Sequence, residues 1–205
     1  MYKDILTKNQ RELLSLISTF SKNFYLVGGT AIALYLGHRQ SIDFDLFTRS
    51  DIKNRGIKEK IKKNRFSIQK VLYEDFIQLH LIVNSVKLTF YSYPYNIVAE
   101  NDFDTIIKMP TLLDLAAMKA FALGRRAKWK DYVDLYFILK QRFTLDEISD
   151  RATQLFSKFF NKKQFCEQLS YFEDIDYTED IVLTRKKIKM NQIKTFLVNI
   201  STASF

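Results

Sequence analysis

In the stretch Ser41-Ile-Asp-Phe-Asp-Leu-Phe47, the acids Asp43 and Asp45 are separated by a single residue. On an extended chain, side chains two apart leave the same face, so both carboxylates would stand together. Such a pair repels itself unless a cation neutralises it. Hard oxygen donors of this kind suit magnesium, which takes one or two carboxylates and completes its shell with water and substrate phosphates. The plain alternative is two solvated acids on a sheet face. Upstream, Gly28-Gly29 lets the backbone come close to a ligand. Thr30 then opens a run of helix formers whose free N–H groups and dipole would attract phosphate. An ordinary strand-to-helix turn would look the same. Arg39 and Ser41 are further candidate phosphate donors, whereas His38 reads as a residue that helps end the helix.

These side chains need elements to hold them. Residues 4–20 carry Ile5, Leu13, Leu14, Leu16, Ile17 and Phe20, which predicts a helix. Residues 24–29 read as a short buried strand closing on a tight glycine turn, and residues 30–37 as a short helix ended by Gly37. Residues 41–48 form the second strand, with Ile42, Phe44 and Leu46 turned to the core opposite the acids. Ser50-Asp51 is placed to cap a basic helix running to Lys63. Segments 66–73, 76–83 and 86–93 alternate with period two, and Asn84-Ser85 suits a turn between the last two.

Beyond Pro94 the pattern becomes helical. Thr111 and Asp114 have capping-box spacing ahead of a helix to Leu123, a second helix spans 129–140, and Thr144 with Glu147 opens a third. From Thr184 onward, Ile193, Phe196, Leu197 and Ile200 keep helical spacing. Strands gathered early and helices late give an α+β class, with an α/β domain over residues 1–108 and a helical domain over 109–205. In the helical half, Lys119 is a lone cation in an apolar helix, which by itself suits a solvated face. Asp131 and Asp134 share a helix face, and Lys130 could pair with Asp134 as a surface ion pair.

Composition narrows the classes. With 47% hydrophobic and 15% aromatic residues, the chain is neither disordered nor of low complexity. One cysteine and two histidines exclude a Cys/His zinc site. No apolar run nears the roughly 20 residues of a membrane span, and the first residues lack a signal peptide's apolar core. A cytoplasmic protein is the expectation. The net charge of +9 favours a polyanionic partner.

The run GGTAIALYLGHRQSIDFDLF (28–47), followed by DLAAMKAFALGRRAKWKDYVDLYFIL (114–139), resembles the AbiEii/AbiGii nucleotidyltransferase toxins of the polymerase-β-like superfamily. The resemblance covers most of residues 24–140. It implies a nucleotidyltransferase fold, a mixed twisted sheet with flanking helices followed by a helical bundle that completes the cleft. It also implies transfer of a nucleotide from an NTP, with one or two magnesium ions. On this reading Gly28, Gly29 and Thr30 contact the triphosphate, Asp43 and Asp45 hold metal, Lys119 neutralises phosphate charge, and Asp131 is the acid of the KDxxDL motif with Asp134 its companion. Wider relatives place a third carboxylate on a later strand; here Thr89 stands at the candidate position, with Lys87 on the same face.

The acceptor is read from charge. Residues 51–70 hold Lys53, Arg55, Lys58, Lys60, Lys62, Lys63, Arg65 and Lys70 against Asp51 and Glu59. Residues 119–130 hold five basic residues and 185–194 another five, while 173–180 are acidic. Lysine and arginine dominate nucleic-acid affinity, which with the family's habits points to tRNA as acceptor and an antitoxin as partner. Transfer to a small cationic molecule would instead call for an acidic cleft. A non-catalytic relative of the fold that only grips nucleotide or RNA is the competing class, which Thr89 favours and the intact acids oppose.

Overall fold

The computed structural model describes residues 1–184 and 188–203. Arg185, Lys186 and Lys187, half of the third basic cluster's cations and more, lie outside the described residues. The chain divides into two compact units. One comprises Met1–Tyr35 and Gln40–Thr111; the other comprises Leu36–Arg39 and the chain from Leu112 onward.

In the first unit, α1 (Lys8–Ser18) is opened by Thr7, whose hydroxyl accepts the Gln10 N–H at 3.2 Å while Gln10 Oε1 accepts the Thr7 N–H at 3.0 Å. Its Leu13, Leu16 and Ile17 are buried, the i, i+3, i+4 stripe of an amphipathic helix. Strand β1 (Tyr25–Val27) passes directly into α2 (Gly28–Leu36). The helix therefore takes in both glycines that were expected to form a turn, and Gly28, at φ 73°, makes the reversal alone. Strand β2 (Phe44–Thr48) starts after Asp43. Ile42, expected in the core, precedes the strand and is 62% exposed. Helix α3 (Asn54–Lys63) begins after Lys53 without a side-chain cap, so Ser50-Asp51 does not serve as one. Its Ile57 and Ile61 are buried.

Strands β3 (Ile68–Glu74), β4 (Gln78–Val83) and β5 (Val86–Ser92) follow as antiparallel neighbours. Asn84 and Ser85 both have positive φ, 50° and 60°, the backbone of the tight hairpin turn their sequence suggested. The sheet order is β1-β2-β5-β4-β3, mixed because β2 and β5 run parallel. A second hairpin, β6 (Ala99–Phe103) with β7 (Ile107–Pro110), was not legible because β6 is largely polar. One sheet face is dry: Phe44, Leu46, Leu79, Leu81, Leu88 and Phe90 are fully buried, and Phe90 meets Phe20 and Phe24 edge-on at 4.9 and 5.3 Å. The other face carries Asp45, Lys87, Thr89, Gln78 and His80.

The second unit is helical: α4 (Leu112–Leu123), α5 (Trp129–Gln141), α6 (Leu145–Phe156), α7 (Lys162–Ser170) and α8 (Met190–Thr202). Thr144 and Glu147 form the expected capping box on α6. Asp114, in the first turn of α4, is buried and accepts from Arg151 of α6. Phe121 and Phe156 stack at 3.9 Å between α4 and α6. The short segment Leu36–Arg39 is held in this unit by Thr184, whose N–H donates to the His38 carbonyl at 3.1 Å and whose hydroxyl donates to that of Gly37 at 2.5 Å. Among the described residues no helix is long and apolar enough to cross a membrane.

Candidate active site

Gly28 and Asp45 constrain each other closely. Asp45 sits opposite Val27 on β1 and Thr89 on β5, which places its carboxylate at the point where β1 turns into α2. A Cβ on Gly28 would come within 2.1 Å of Asp45 Oδ2. The carboxylate thus occupies the space that any side chain would fill, at the N-terminus of a helix. Within β2, Asp45 and Phe47 are half-buried while Phe44, Leu46 and Thr48 are buried, so Asp45 faces away from the dry side of the sheet; Asp43, also half-buried, lies just before the strand. Thr30 is buried, and its hydroxyl donates to the Asp43 carbonyl and lies 3.0 Å from the Ser41 hydroxyl. That ties the start of α2 to the segment carrying both acids, and leaves main-chain N–H groups as what this turn can offer a phosphate.

The donor set fits a divalent ion held by one or two carboxylates with substrate oxygens completing the shell. Among the described residues, no group of three or more His, Cys, Asp or Glu side chains gathers. The third position belongs to Thr89, which pairs in register with Asp45. Next across the sheet stands His80, a residue the sequence did not single out. Gln78 donates to Asp75 at 3.3 Å, so its Oε1 accepts from His80 Nε2 at 2.9 Å; the His80 Nδ1 lone pair then faces the Thr89 hydroxyl at 3.4 Å. Burial, with help from Lys87, holds the His80 imidazole below its ordinary pKa despite Asp45 and Asp75.

The second unit holds a buried charge network. Asp134 accepts from His38 Nε2 at 2.8 Å and from Arg39 at 2.7 and 2.9 Å, and Lys119 Nζ lies 3.0 Å away. Lys119 also donates to Asp131 at 2.6 Å, and Arg126 closes on Asp131 at 2.9 Å. Both carboxylates are fully buried, and Lys119 and Arg39 are 5% and 4% exposed. Burial pushes both acids up, but Arg39 and Lys119 at Asp134, and Lys119 and Arg126 at Asp131, more than offset it. Lys119 is likewise held above its ordinary value by the two carboxylates, against burial. His38 is held below its ordinary value by burial.

This arrangement revises several readings. Lys119 is a buried, fixed cation and does not lie on a solvated face. Asp134 takes no partner from Lys130, which pairs with Glu179. Arg39, read as a phosphate donor, commits its guanidinium to Asp134. His38 does more than end α2. The basic run 119–130 is no open basic patch either: Lys128 and Lys130 both pair with Glu179 of the acidic segment. Arg126 and His38 could have been suspected only from buried carboxylates needing partners, which spacing does not reveal.

The chain matches the family described as nucleotidyl transferase AbiEii toxin, type IV TA system, over residues 12–97 and 93–201. The uncharacterized protein aq_aa25 of Aquifex aeolicus (strain VF5) is 31% identical over 177 residues, covering 82% of this chain and 84% of the relative. Two solved structures share the fold. MenT4, the nucleotidyltransferase toxin Rv2826c of Mycobacterium tuberculosis H37Rv, has a TM-score of 0.61 at 14% identity, across 94% of this chain and 81% of its own. JHP933 of Helicobacter pylori has a TM-score of 0.55 at 16% identity, across 97% and 92%.

Proposed function

Because the chain belongs to the AbiEii nucleotidyltransferase toxin family, we propose that it is the toxin of a toxin–antitoxin pair and moves a nucleotide from an NTP to a hydroxyl of tRNA, in the cytoplasm and under the control of a cognate antitoxin. The observation that carries this reading is the fit of the Asp45 carboxylate into the space left by the missing side chain of Gly28. Asp43 and Asp45 would hold magnesium. When bound, the ion neutralises triphosphate charge and polarises the phosphoryl group. Gly28, Gly29 and the N–H groups opening α2 meet the outer phosphates, with Ser41 beside them. The acceptor hydroxyl gives its proton to one of the strand carboxylates, Asp43 or Asp45, while its oxygen bonds to the α-phosphorus; that atom's bond to the bridging oxygen breaks, and pyrophosphate leaves. Such a transfer needs positioning and charge neutralisation more than covalent help.

Lys119 would neutralise phosphate charge on this reading, since the carboxylates of Asp131 and Asp134 keep it charged, with part of that charge already met by them. Asp131, held ionised by Lys119 and Arg126, makes a poor proton acceptor and is better suited to fixing Lys119. A basic first unit favours RNA over a cationic small molecule as acceptor. Thr89 in the third-acid position favours the competing reading, a nucleotide-gripping module without transfer.

Incubation with each radiolabelled NTP, magnesium and total tRNA separates these. Label in RNA is expected. Label on the protein itself would reassign the acceptor, and nucleotide binding without any label would support the non-catalytic reading. Asp45→Ala should abolish transfer with the melting temperature kept. Survival of activity in that variant would overturn the metal assignment.

A further inference from the structure

One row of side chains crosses the sheet from Asp45 to its edge. Asp45 on β2 is in register with Thr89 on β5, Thr89 with His80 on β4, and His80 with Tyr73 on β3. Strand β3 is the edge. The Tyr73 and His80 rings meet edge-on at 5.9 Å. Tyr73 is 51% exposed, and Phe76 at the following hairpin tip is 95% exposed. The Tyr73 hydroxyl donates to Asp75 Oδ2 at 2.9 Å, while Asp75 Oδ1 accepts the N–H groups of Ile77 and Gln78 at 2.8 and 2.7 Å, so the ring is fixed against its own turn. A second row runs alongside on the same face, Lys87 to Ile82 to Lys70. Two residues along a strand set the rows roughly 7 Å apart.

Exposed rings on an edge strand are a hazard unless a partner covers them. A fixed ring with cations one step away is the arrangement that holds a single strand of nucleic acid, bases stacking and phosphates pairing. An added protein strand would use the main chain of β3 alone, leaving Lys87 and His80, inside the sheet, without a part. The exposed Lys53, Lys62, Lys63 and Arg65 of the same unit complement a polyanion as well.

We propose that the row from Thr89 to Tyr73 is the acceptor track, on which the single-stranded 3′ end of an RNA lies across β5, β4 and β3. Its terminal hydroxyl points toward Asp45, one base stacks on Tyr73 and a neighbour on Phe76, and Lys87 and Lys70 take phosphates. The direction of the strand rests on the nucleotidyl-transfer reading; the track itself is measured without transfer.

The test is fluorescence anisotropy of the full chain with a 5′-fluorescein, 12-nucleotide single-stranded RNA and a blunt duplex of the same sequence, without NTP. The single strand should bind more tightly than the duplex, whose bases are already stacked. Tyr73→Ala with Phe76→Ala should weaken it at least about fivefold, the low end of losing one stacked base. Tyr73→Phe, which keeps the ring and loses only its tether to Asp75, should keep most of the affinity. Lys70→Ala should lower the slope of log affinity against log salt by about 0.7. Melting temperatures check the fold, which substitutions at these exposed side chains should not disturb. The proposal is overturned if the wild type does not prefer the single strand, if the double variant binds it unchanged, or if Tyr73→Phe loses as much as Tyr73→Ala. It is also overturned if sedimentation shows the double variant dissolving a dimer with RNA affinity intact. Loss of stacking effects with transfer preserved would sink the track alone; stacking effects without transfer would sink the enzymatic reading alone.

Discussion

Replacing Gly28 with alanine tests the site where its geometry is tightest. The added carbon would lie 2.1 Å from Asp45 Oδ2, 3.0 Å from its Cγ and 3.2 Å from its Cβ. Since Cβ atoms do not sustain contacts under about 3.0 Å, the carboxylate must withdraw by about 1 Å. A misplacement of about 1 Å in a positioned group can cost about 100-fold in rate. The backbone adds its own cost, because Gly28 sits at φ 73° and an L-residue there loses about 1–2 kcal/mol. For a chain of this size that lowers the melting temperature by about 2–8 °C. The assay is the initial rate of label transfer at saturating magnesium, at a temperature where both proteins are fully folded, together with calorimetric titration of the divalent ion. The expected outcome is a rate down about 100-fold and a weakened metal, with only the modest thermal loss. A folded Gly28→Ala protein that keeps more than about a tenth of the rate would refute the reasoning, as would undiminished metal affinity.

Three further outcomes rest on the buried charges and the helix glycine. Asp134→Asn leaves Arg39 without its buried counter-charge and Lys119 with Asp131 alone, and should cost about 3–5 kcal/mol in urea unfolding. Stability should decline in two legs as pH falls. His38, lowered from 6.5, is neutral in the fold, so stability is lost from about pH 6.5 downward as the unfolded chain takes up the proton; Asp131 and Asp134, lowered from 3.8, add a loss below about pH 4. Urea midpoints across pH should show both legs, with His38→Gln shrinking the first to the part that His80, also held below its ordinary value, contributes. Gly56→Ala, inside α3 with its nearest neighbour at 3.9 Å, should raise stability by about 0.5–1 kcal/mol and serves as the glycine control.

Some elements were legible because they depend on local chemistry. The Thr144–Glu147 box, the Asn84-Ser85 turn and the stripe of α1 each follow from neighbours within four residues. The starts of α3 and β2 were misplaced because Ser50-Asp51 and Ile42 satisfy local rules that the packing of Ile57, Ile61 and Phe44 overrides. The β6–β7 hairpin carries too little apolar alternation to announce itself.

For the site, residue order alone determined that Asp45 turns away from the core residues Phe44 and Leu46 and that a glycine stands where the first strand gives way to a helix, since alternation and backbone freedom are properties of adjacent residues. What only the tertiary structure decided was the company these groups keep. That Gly28 yields its side-chain space to Asp45, that His80 and Tyr73 fall in line with Asp45, and that Lys119 bridges two buried acids are facts about residues 12 to 35 positions apart. A carboxylate's partner is chosen by the cost of burying its charge uncompensated, and that cost exists only once packing has removed the water.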